Sequence, residues 1–208
     1  MTIPVTAITG KTWIAAGNLP RYDGPHAPLL GFEIDRTRFP TRWAEYGFVL
    51  ESLATDVWAG PILDAGTGFN PEIHVLSNFL GALNLPTVAL DREPSTIALG
   101  DYPSVTRIIG DLCSLPQRNG TMGVYLNISV LEHLAADQCR RAWEEAYRVL
   151  RPGGTVIVTA DVEDPRTLTG MANAVGFVTG PVVTLNGPVM TPPVSWIRAV
   201  KATEPEAA

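Results

Sequence analysis

The chain has 208 residues, 46% of them hydrophobic and 17% charged, which predicts one globular domain rather than two small ones. Its net charge of −6 argues against a nucleic-acid partner, because such affinity comes largely from Lys and Arg. We find neither the roughly 20 apolar residues of a membrane span nor a signal peptide, so we expect no membrane span and a cytoplasmic location. Cys113 and Cys139 form no disulfide framework and belong to no paired zinc motif.

The N-terminal part, residues 1–38, is rich in Gly, Pro and short polar residues and predicts an extended arm or lid. A helix is expected from about Pro40, because apolar residues then recur at helical spacing: Trp43, Tyr46, Val49, Leu50 and Leu53. We expect a single domain over 39–201, followed by a frayed tail over 202–208.

From Pro61 onward, short apolar runs alternate with longer amphipathic stretches, a pattern typical of a parallel sheet covered by helices. We predict seven strands: Ile62–Asp64, Thr87–Leu90, Val105–Ile109, Val124–Ile128, Thr155–Thr159, Val182–Leu185 and Ser195–Val200.

A second helix is expected over Ala136–Leu150, with Glu144 and Arg148 spaced to pair at i,i+4. Its apolar stripe contains Cys139, Ala142, Trp143, Ala146 and Leu150. The sequence Arg151-Pro-Gly-Gly is expected to end it.

A glycine turn follows the first strand of this region. The strand ends in Asp64, and Ala65-Gly66-Thr67-Gly68 leads toward a helix that Pro71 would open. Glycines allow close backbone approach to a ligand, and a helix N-terminus offers free N–H groups. This turn alone is a weak indication of a nucleotide-like ligand.

Two further acids follow the next two predicted strands. Asp91 lies where a dinucleotide-type site places the carboxylate that accepts both ribose hydroxyls, and Asp111 can accept from an adenine amino group. Each acid alone can equally be a helix cap or a turn residue. Their recurrence at successive strand ends favours one shared ligand site.

The ordered motifs resemble those of class I S-adenosylmethionine-dependent methyltransferases. They are Asp-Ala-Gly-Thr-Gly, Leu90-Asp91, Gly110-Asp111-Leu112, Asn127-Ile-Ser-Val-Leu-Glu-His-Leu and Arg148-Val-Leu-Arg-Pro-Gly-Gly-Thr. The last two resemble the small-molecule branch that includes ubiquinone-type O-methyltransferases. The resemblance implies an α/β, Rossmann-like, doubly wound, mostly parallel sheet with helices on both faces and an antiparallel last strand.

The same resemblance implies S-adenosylmethionine as cofactor, S-adenosylhomocysteine as product, and a set of binding residues. The loop of Asp64, Ala65, Gly66, Thr67 and Gly68 would flank the methionine part. The ribose would lie at Asp91 and Arg92, the adenine at Asp111 and Leu112, and the sulfonium near Asn127 and Ser129. Two positions depart from the family pattern: Asn70 replaces the usual third glycine, and Met122-Gly123 replaces a Phe-Asp pair. Asn70 is expected to accept a strained turn backbone and to weaken or shift binding.

Transfer to a hydroxyl also needs a base, for which His133 is the candidate, because it follows the fourth strand and has a suitable ordinary pKa. Alternatively His133 packs or caps a turn while Glu132 faces solvent. These two residues alone make a poor metal site, so no metal is predicted. His74 is expected inside a helix in a structural role, and His26 lies in the arm.

Three groups remain as further candidates near the donor and the acceptor. The aromatic residues Trp43, Tyr46 and Phe48 can wall the methyl-donor pocket, with core packing as the alternative. Arg42 or Tyr46 can reach the donor's carboxylate. Asp161, Glu163 and Asp164 either meet a polar acceptor or form an exposed acidic loop.

The sequence thus predicts an enzyme that methylates a small-molecule acceptor, with O-methylation favoured. DNA methylation is disfavoured, because Asn127-Ile-Ser-Val stands where such enzymes carry a Pro-Pro-aromatic or Pro-Cys motif. One alternative is a non-catalytic protein that keeps the fold for binding or as a scaffold. Another is an NAD-type oxidoreductase, against which the incomplete G-x-G-x-x-G spacing counts. The oligomeric state is not predicted.

Overall fold

The computed structural model describes residues 8–9, 40–55, 57–70, 74–95, 102–162, 164–187 and 190–203. The strands are β1 (Ile8–Thr9), β2 (Val57–Trp58), β3 (Ile62–Ala65), β4 (Thr87–Asp91), β5 (Val105–Ile109), β6 (Met122–Ile128), β7 (Leu150–Asp161), β8 (Phe177–Thr179), β9 (Val183–Gly187) and β10 (Met190–Lys201). The helices are α1 (Pro40–Thr55), α2 (Leu76–Ala82), α3 (Ala136–Val149) and α4 (Arg166–Ala174), with a 3-10 turn at Leu131–His133.

The main sheet has the strand order β5-β4-β3-β6-β7-β10-β8, and β9 pairs with β10. The strands from β3 to β7 pair in parallel, whereas β10 runs antiparallel to β7, β8 and β9. The chain winds outward from β3 to β5 and then returns to the other side of β3 with β6. This reversal is the topological switch point where open α/β sheets bind ligands.

Apolar side chains cover both faces of the sheet. One cluster joins α1 and α2 to the sheet and includes Val49 and Phe79, both buried. The other joins α3 and α4 and includes Trp143 and Leu168. The predicted Rossmann-like α/β architecture with helices on both faces is therefore confirmed, as is the antiparallel last strand.

Within the described residues, the main sheet has eight strands rather than the predicted seven. All seven predicted strands are present, and the missed strand is Phe177–Thr179, which forms the sheet edge beside the end of β10. Three residues after Gly176 are too short for a clear alternating pattern. The pair β1–β2 was also missed, and it places Ile8–Thr9 of the predicted arm beside Val57–Trp58. The rest of the arm lies outside the described residues.

Helix α3 ends at Val149, one residue before the predicted end. The Arg151-Pro-Gly-Gly segment that follows lies within β7, where Gly153 has a left-handed φ of +74°. The predicted Glu144–Arg148 pair is wrong. Arg148 instead bonds Glu145 and the carbonyl oxygens of Leu115 and Gln117, because this side of the helix faces the 111–121 segment. Glu144 pairs with Arg140 at 2.5 Å.

Candidate active site

The glycine loop leaves β3 and crosses to the end of β4. The N–H groups of Gly66 and Thr67 both donate to the carbonyl oxygen of Leu90, at 2.7 and 3.1 Å. Gly66 and Gly68 have φ angles of +84° and +76°, which residues with a Cβ rarely adopt. The loop therefore bends back sharply over the carboxyl ends of two neighbouring parallel strands.

Asp91, the last residue of β4, binds this loop. One of its carboxylate oxygens, Oδ2, accepts the N–H of Gly68 at 2.8 Å, and the other accepts the N–H of Glu93 at 3.0 Å. Each carboxylate oxygen has two lone pairs, so one remains on each for a further donor. Arg92 is exposed beside it.

The third acid lies at the end of the adjacent strand. Asp91 is paired with Ile109 of β5, and the following N–H, of Gly110, donates to the Asp91 carbonyl oxygen at 2.9 Å. Asp111 then lies exposed, and its carboxylate accepts the N–H of Cys113 at 2.8 Å. Leu112 is buried in the core. The ends of β3, β4 and β5, with Asp64, Asp91 and Asp111, thus lie along one edge of the sheet.

Asp64 is buried beneath the loop in a polar network. Its carboxylate accepts the hydroxyl of Thr67 at 2.7 Å, and that hydroxyl lies 3.2 Å from the hydroxyl of Ser77. Arg107 of β5 donates to Ser77 at 3.2 Å. Burial raises the pKa of Asp64 to about 6, against the Thr67 hydrogen bond and the attraction of Arg107 and Arg42. Sequence reasoning missed Ser77 and Arg107, since neither lies in a motif.

Asn127 and Ser129 occupy the end of β6, across the switch point from β3. The buried Asn127 amide donates to the carbonyl oxygen of Ala65 at 3.0 Å and so ties β6 to the glycine loop. Ser129 has a left-handed φ of +51°, and its hydroxyl donates to Glu45 of α1. The Ser129 hydroxyl is thus engaged within the protein.

Glu45 is fully buried where α1 crosses the ends of β6 and β7. It accepts the hydroxyls of Ser129 and Thr159 and lies 3.2 Å from the guanidinium of Arg42, which also donates to the Ile128 carbonyl oxygen at 3.1 Å. Burial raises the pKa of Glu45, and the nearby Arg42 opposes this. Sequence reasoning missed Glu45, which looked like one more polar position on an amphipathic helix.

Tyr46 is buried next to this group. It packs in the core on the α1–α2 face, and the Arg42 guanidinium lies 5.6 Å from its ring centroid. Its hydroxyl interacts with the backbone of Leu76, and burial raises its pKa. Phe48 stacks on Trp196, with ring centroids 5.0 Å apart. The Trp43 side chain lies outside the described residues.

The predicted base and its neighbours lie on the 3-10 turn after β6. His133 is exposed, whereas Glu132 is largely buried, so the alternative in which Glu132 faces solvent is wrong. Glu132 Oε2 and Asp161 Oδ1 are buried and have no hydrogen-bond partner among the residues that the structure describes. Burial raises the pKa of both carboxyl groups, and His133 is close enough to oppose each shift. Asp164 is half-exposed and pairs with Arg166.

His74 precedes α2 rather than lying inside a helix, because α2 begins only at Leu76. Its Nδ1 accepts the N–H groups of Phe69 and Asn70, each at 2.9 Å, which agrees with the expected structural role. Among the described non-glycine residues, only Asn84 and Ser129 have left-handed φ angles, so Asn70 does not take the strained backbone that we expected. His26, Pro71 and Glu163 lie outside the described residues.

Gly123 has a structural explanation. A Cβ there would lie 1.8 Å from the carbonyl oxygen of Ala59, and the Gly123 N–H donates to the Pro61 carbonyl oxygen at 2.9 Å. Strand β6 therefore passes directly against the backbone that leads into β3. No side chain fits at this position.

Two findings concern metal sites and membrane-spanning helices. Within the described ranges, no cluster of three or more His, Cys, Asp or Glu residues is arranged to hold a metal ion. In the same part of the chain, no helix combines the length and apolarity needed to cross a membrane.

A glycine loop and an acid at neighbouring strand ends, beside the switch point of a doubly wound sheet, are the arrangement found in nucleotide-binding α/β domains. The methyltransferase domain family matches residues 63–158, which contain the loop, Asp91, Asp111, the end of β6 and most of β7. The fold and this match support a class I S-adenosylmethionine-dependent methyltransferase. The cofactor of this class is S-adenosylmethionine.

Sequence relatives agree with this class. The chain is 30% identical over 184 residues to a tRNA (carboxymethyluridine(34)-5-O)-methyltransferase of Arabidopsis thaliana, covering 81% of this chain and 41% of that protein. It is 33% identical over 117 residues to a malonyl-[acyl-carrier protein] O-methyltransferase of Hahella chejuensis, covering 54% and 40%. The chain thus spans about two fifths of the length of these curated relatives.

The fold is also that of the N-methyltransferase NodS from Bradyrhizobium japonicum, whose structure was solved in complex with S-adenosylhomocysteine. The two superpose with a TM-score of 0.61 at 14% sequence identity, covering 86% of this chain and 99% of that one. At this identity the likeness concerns the fold.

Proposed function

We propose that the protein transfers a methyl group from S-adenosylmethionine to an oxygen of a small-molecule acceptor. The observation that carries this proposal is the hydrogen bond from Gly68 to Asp91, because it joins the glycine loop and the acid at adjacent strand ends. In that arrangement the loop backbone can lie close to a ligand, and a carboxylate that can accept two hydrogen bonds from it lies in the same crevice.

The residues at this edge fit the donor chemically. Asp91 keeps a free lone pair on each oxygen for two vicinal ribose hydroxyls, with Arg92 beside it. Asp111 offers an acceptor to an adenine, and we place the adenine next to Leu112, whose side chain packs in the core below. Arg42 of α1 lies close enough to Asp64, Tyr46 and Glu132 for its charge to act on them. We propose that Arg42, with Tyr46, binds the donor's carboxylate.

Asp64, Ala65, Gly66, Thr67 and Gly68 would flank the methionine part of the donor, with Asn127 and the backbone of Ser129 near the sulfonium. The donor supplies an electrophilic methyl group on that sulfonium. The protein's own contribution is to align the acceptor with this group and to exclude water. The role of Asp64 is electrostatic, since its buried carboxyl group lies under the loop rather than on it.

The acceptor would enter beside β6 and β7, where His133, Glu132 and Asp161 lie together. His133 is the proposed base for a hydroxyl acceptor, because it is exposed at this edge. The buried oxygens of Glu132 and Asp161 that have no partner favour an acceptor with O–H or N–H donors, because a buried acceptor is costly when unpaired. They would orient the acceptor.

Two observations favour oxygen and a small acceptor. Both curated relatives reported above are O-methyltransferases by name. The net charge of −6 and the carboxyl groups on the acceptor side oppose binding of a phosphate backbone. The Arabidopsis relative nevertheless modifies tRNA by name, so tRNA is the second candidate acceptor.

The test measures donor binding first and methyl transfer second, on the full chain. We expect S-adenosylmethionine to bind the folded protein in titration calorimetry. Radiolabelled methyl is then expected on a member of a panel of phenols, alcohols and carboxylic acids, and not on amines or tRNA. For a hydroxyl acceptor, His133→Gln should lower kcat about 10²-fold or more while donor affinity stays unchanged.

The outcomes separate the alternatives. Absence of donor binding by the folded chain contradicts the proposal altogether. Donor binding without turnover on any acceptor favours the non-catalytic binding or scaffold protein. Label on tRNA replaces the small molecule as acceptor, and label on nitrogen contradicts O-methylation. An unchanged kcat in the His133→Gln variant on a hydroxyl acceptor removes His133 as the base.

A further inference from the structure

The imidazole of His74 lies directly under the glycine loop. Its Nδ1 accepts two consecutive backbone N–H groups, those of Phe69 and Asn70, each at 2.9 Å. In return the backbone N–H of His74 donates to the carbonyl oxygen of Asn70 at 2.8 Å. Two hydrogen bonds to the side chain and one to the backbone of His74 thus hold Phe69 and Asn70 against this residue.

Gly68 makes this approach possible. A Cβ at Gly68 would lie 2.2 Å from Nδ1 of His74, so only glycine allows the imidazole to come this close. The N–H of Gly68 itself donates to Asp91. The loop is therefore held from two sides, by a carboxylate at the end of β4 and by an imidazole at the start of the α2 region.

The hydrogen bonds define the protonation state of His74. Nδ1 can accept N–H groups only as the unprotonated nitrogen of a neutral ring, so the ring proton is on Nε2. Burial lowers the pKa of His74 to about 4, and Arg42 of α1 acts in the same direction while Asp91 of β4 opposes it. Nδ1 of His74 is therefore available as a hydrogen-bond acceptor at neutral pH.

We propose that His74 is a positioning residue for donor binding, fixing the Phe69–Asn70 backbone so that Gly68 and Asp91 stay in place for the ribose. This inference rests on the proposed function. The backbone of Asn70 replaces the flexible third glycine of the family pattern, and His74 supplies the hydrogen bonds that order it. His74 acts on the donor through the loop and does not contact the reacting atoms.

Two substitutions test the acceptor atom specifically. His74→Asn places an amide oxygen where Nδ1 lies and keeps an acceptor, whereas His74→Ala removes it. We expect His74→Ala to weaken S-adenosylhomocysteine binding about tenfold or more, because the loop loses the two hydrogen bonds that hold its Phe69 and Asn70 N–H groups in place. We expect His74→Asn to restore affinity to within about threefold of the wild type. At saturating donor, kcat should be the same in both variants.

A spectroscopic measurement on the wild type gives an independent readout. Two-dimensional ¹⁵N–¹H spectra of the histidine side chains should show His74 as the neutral tautomer protonated on Nε2 at pH 7. A ring protonated on Nδ1, or charged at that pH, overturns the proposal even if His74→Ala fails to fold.

The binding experiments distinguish failure of the proposed function from failure of the positioning role alone. If the folded wild type binds neither S-adenosylmethionine nor S-adenosylhomocysteine, the proposed function fails and this inference fails with it. If the wild type binds and His74→Ala binds equally well, only the positioning role is overturned. Weakened binding by His74→Ala that His74→Asn does not restore also overturns it, because the loss then has another cause than the acceptor atom.

Discussion

The carboxylate of Asp91 accepts the N–H of Gly68 at 2.8 Å, so the end of β4 fixes the loop that leaves β3. Gly68 lies in the loop after β3, and Asp91 is the last residue of β4, the strand that pairs in parallel with β3. A donor bound at Asp91 would therefore depend on the loop, and the loop on Asp91.

Replacement of Asp91 by Ala should remove both the hydrogen bond that holds the loop and the carboxylate that would bind the donor. We expect a fall in S-adenosylmethionine affinity of about 10- to 100-fold, because hydrogen bonds to a charged group are worth about 1.5–3 kcal/mol. Asp91→Asn should lose less, since its amide oxygen can still accept from Gly68. Titration calorimetry measures both, with the exposed Asp137→Ala as control. Equal affinity in Asp91→Ala and wild type would contradict the ribose assignment.

The buried carboxyl group of Asp64 makes stability depend on pH. Its pKa rises from 3.8 unfolded to about 6 folded, so the folded state binds more protons between these values and stability falls as pH rises through them. Asp64→Asn keeps an oxygen for Thr67 but cannot ionise. Its stability relative to wild type should therefore increase between pH 4 and pH 7, by at most about 3 kcal/mol.

Urea unfolding of the wild type and of Asp64→Asn at each pH gives the difference in their free energies of unfolding. His74 titrates in the same pH range but is present in both proteins, so its contribution cancels. A difference that stays constant with pH would show that Asp64 has an ordinary pKa in the folded protein.

Glu45 should be critical for stability. Glu45→Ala removes the acceptor of two hydroxyls and the partner of Arg42, leaving that cation unpaired where it is mostly buried. Breaking a buried ion pair in this way costs about 3–5 kcal/mol. Glu51→Ala, at an exposed position of the same helix, should change the free energy of unfolding by less than about 0.5 kcal/mol. Equal effects of the two substitutions would refute the buried role of Glu45.

Two glycines should respond oppositely to alanine. At Gly123 the added Cβ meets the Ala59 carbonyl oxygen at 1.8 Å, so we expect a loss of about 3 kcal/mol or more, or failure to fold. At Gly170, within α4, a Cβ meets nothing within 4 Å, so Gly170→Ala should stabilise by about 0.5–1 kcal/mol. Melting temperatures test the pair, and a tolerated Gly123→Ala would mean that β6 lies farther from Ala59.

Local sequence patterns determined most of the architecture. The apolar runs of β3, β4, β6 and β7 are short, continuous and separated by amphipathic stretches, which is what a sheet buried on both faces requires. The loop of Gly66 and Gly68 and the acids Asp64, Asp91 and Asp111 could be placed at strand ends for the same reason. Parallel strands bring their carboxyl ends to one edge, so their convergence followed from the fold class.

Long-range contacts could not be inferred in this way. Glu45 bonds residues 84 and 114 positions away along the chain, and nothing in its own helix indicates this. Gly123 departs from a family pattern, but its cause is the backbone of Ala59 on another segment. The burial of Glu132 beside the exposed His133 depended on how the turn after β6 packs.

The sequence by itself determined the order of the seven predicted strands and the residue types at the strand ends, because these depend on periodicity and on neighbours along the chain. It did not predict the short strand β8 or the helix α4. The tertiary structure decided which polar groups are buried and with what partner, and it placed Glu45 against Ser129 and His74 under the glycine loop. Those contacts depend on distances between segments far apart in sequence, and the pKa shifts of Asp64 and His74 follow from the same burial.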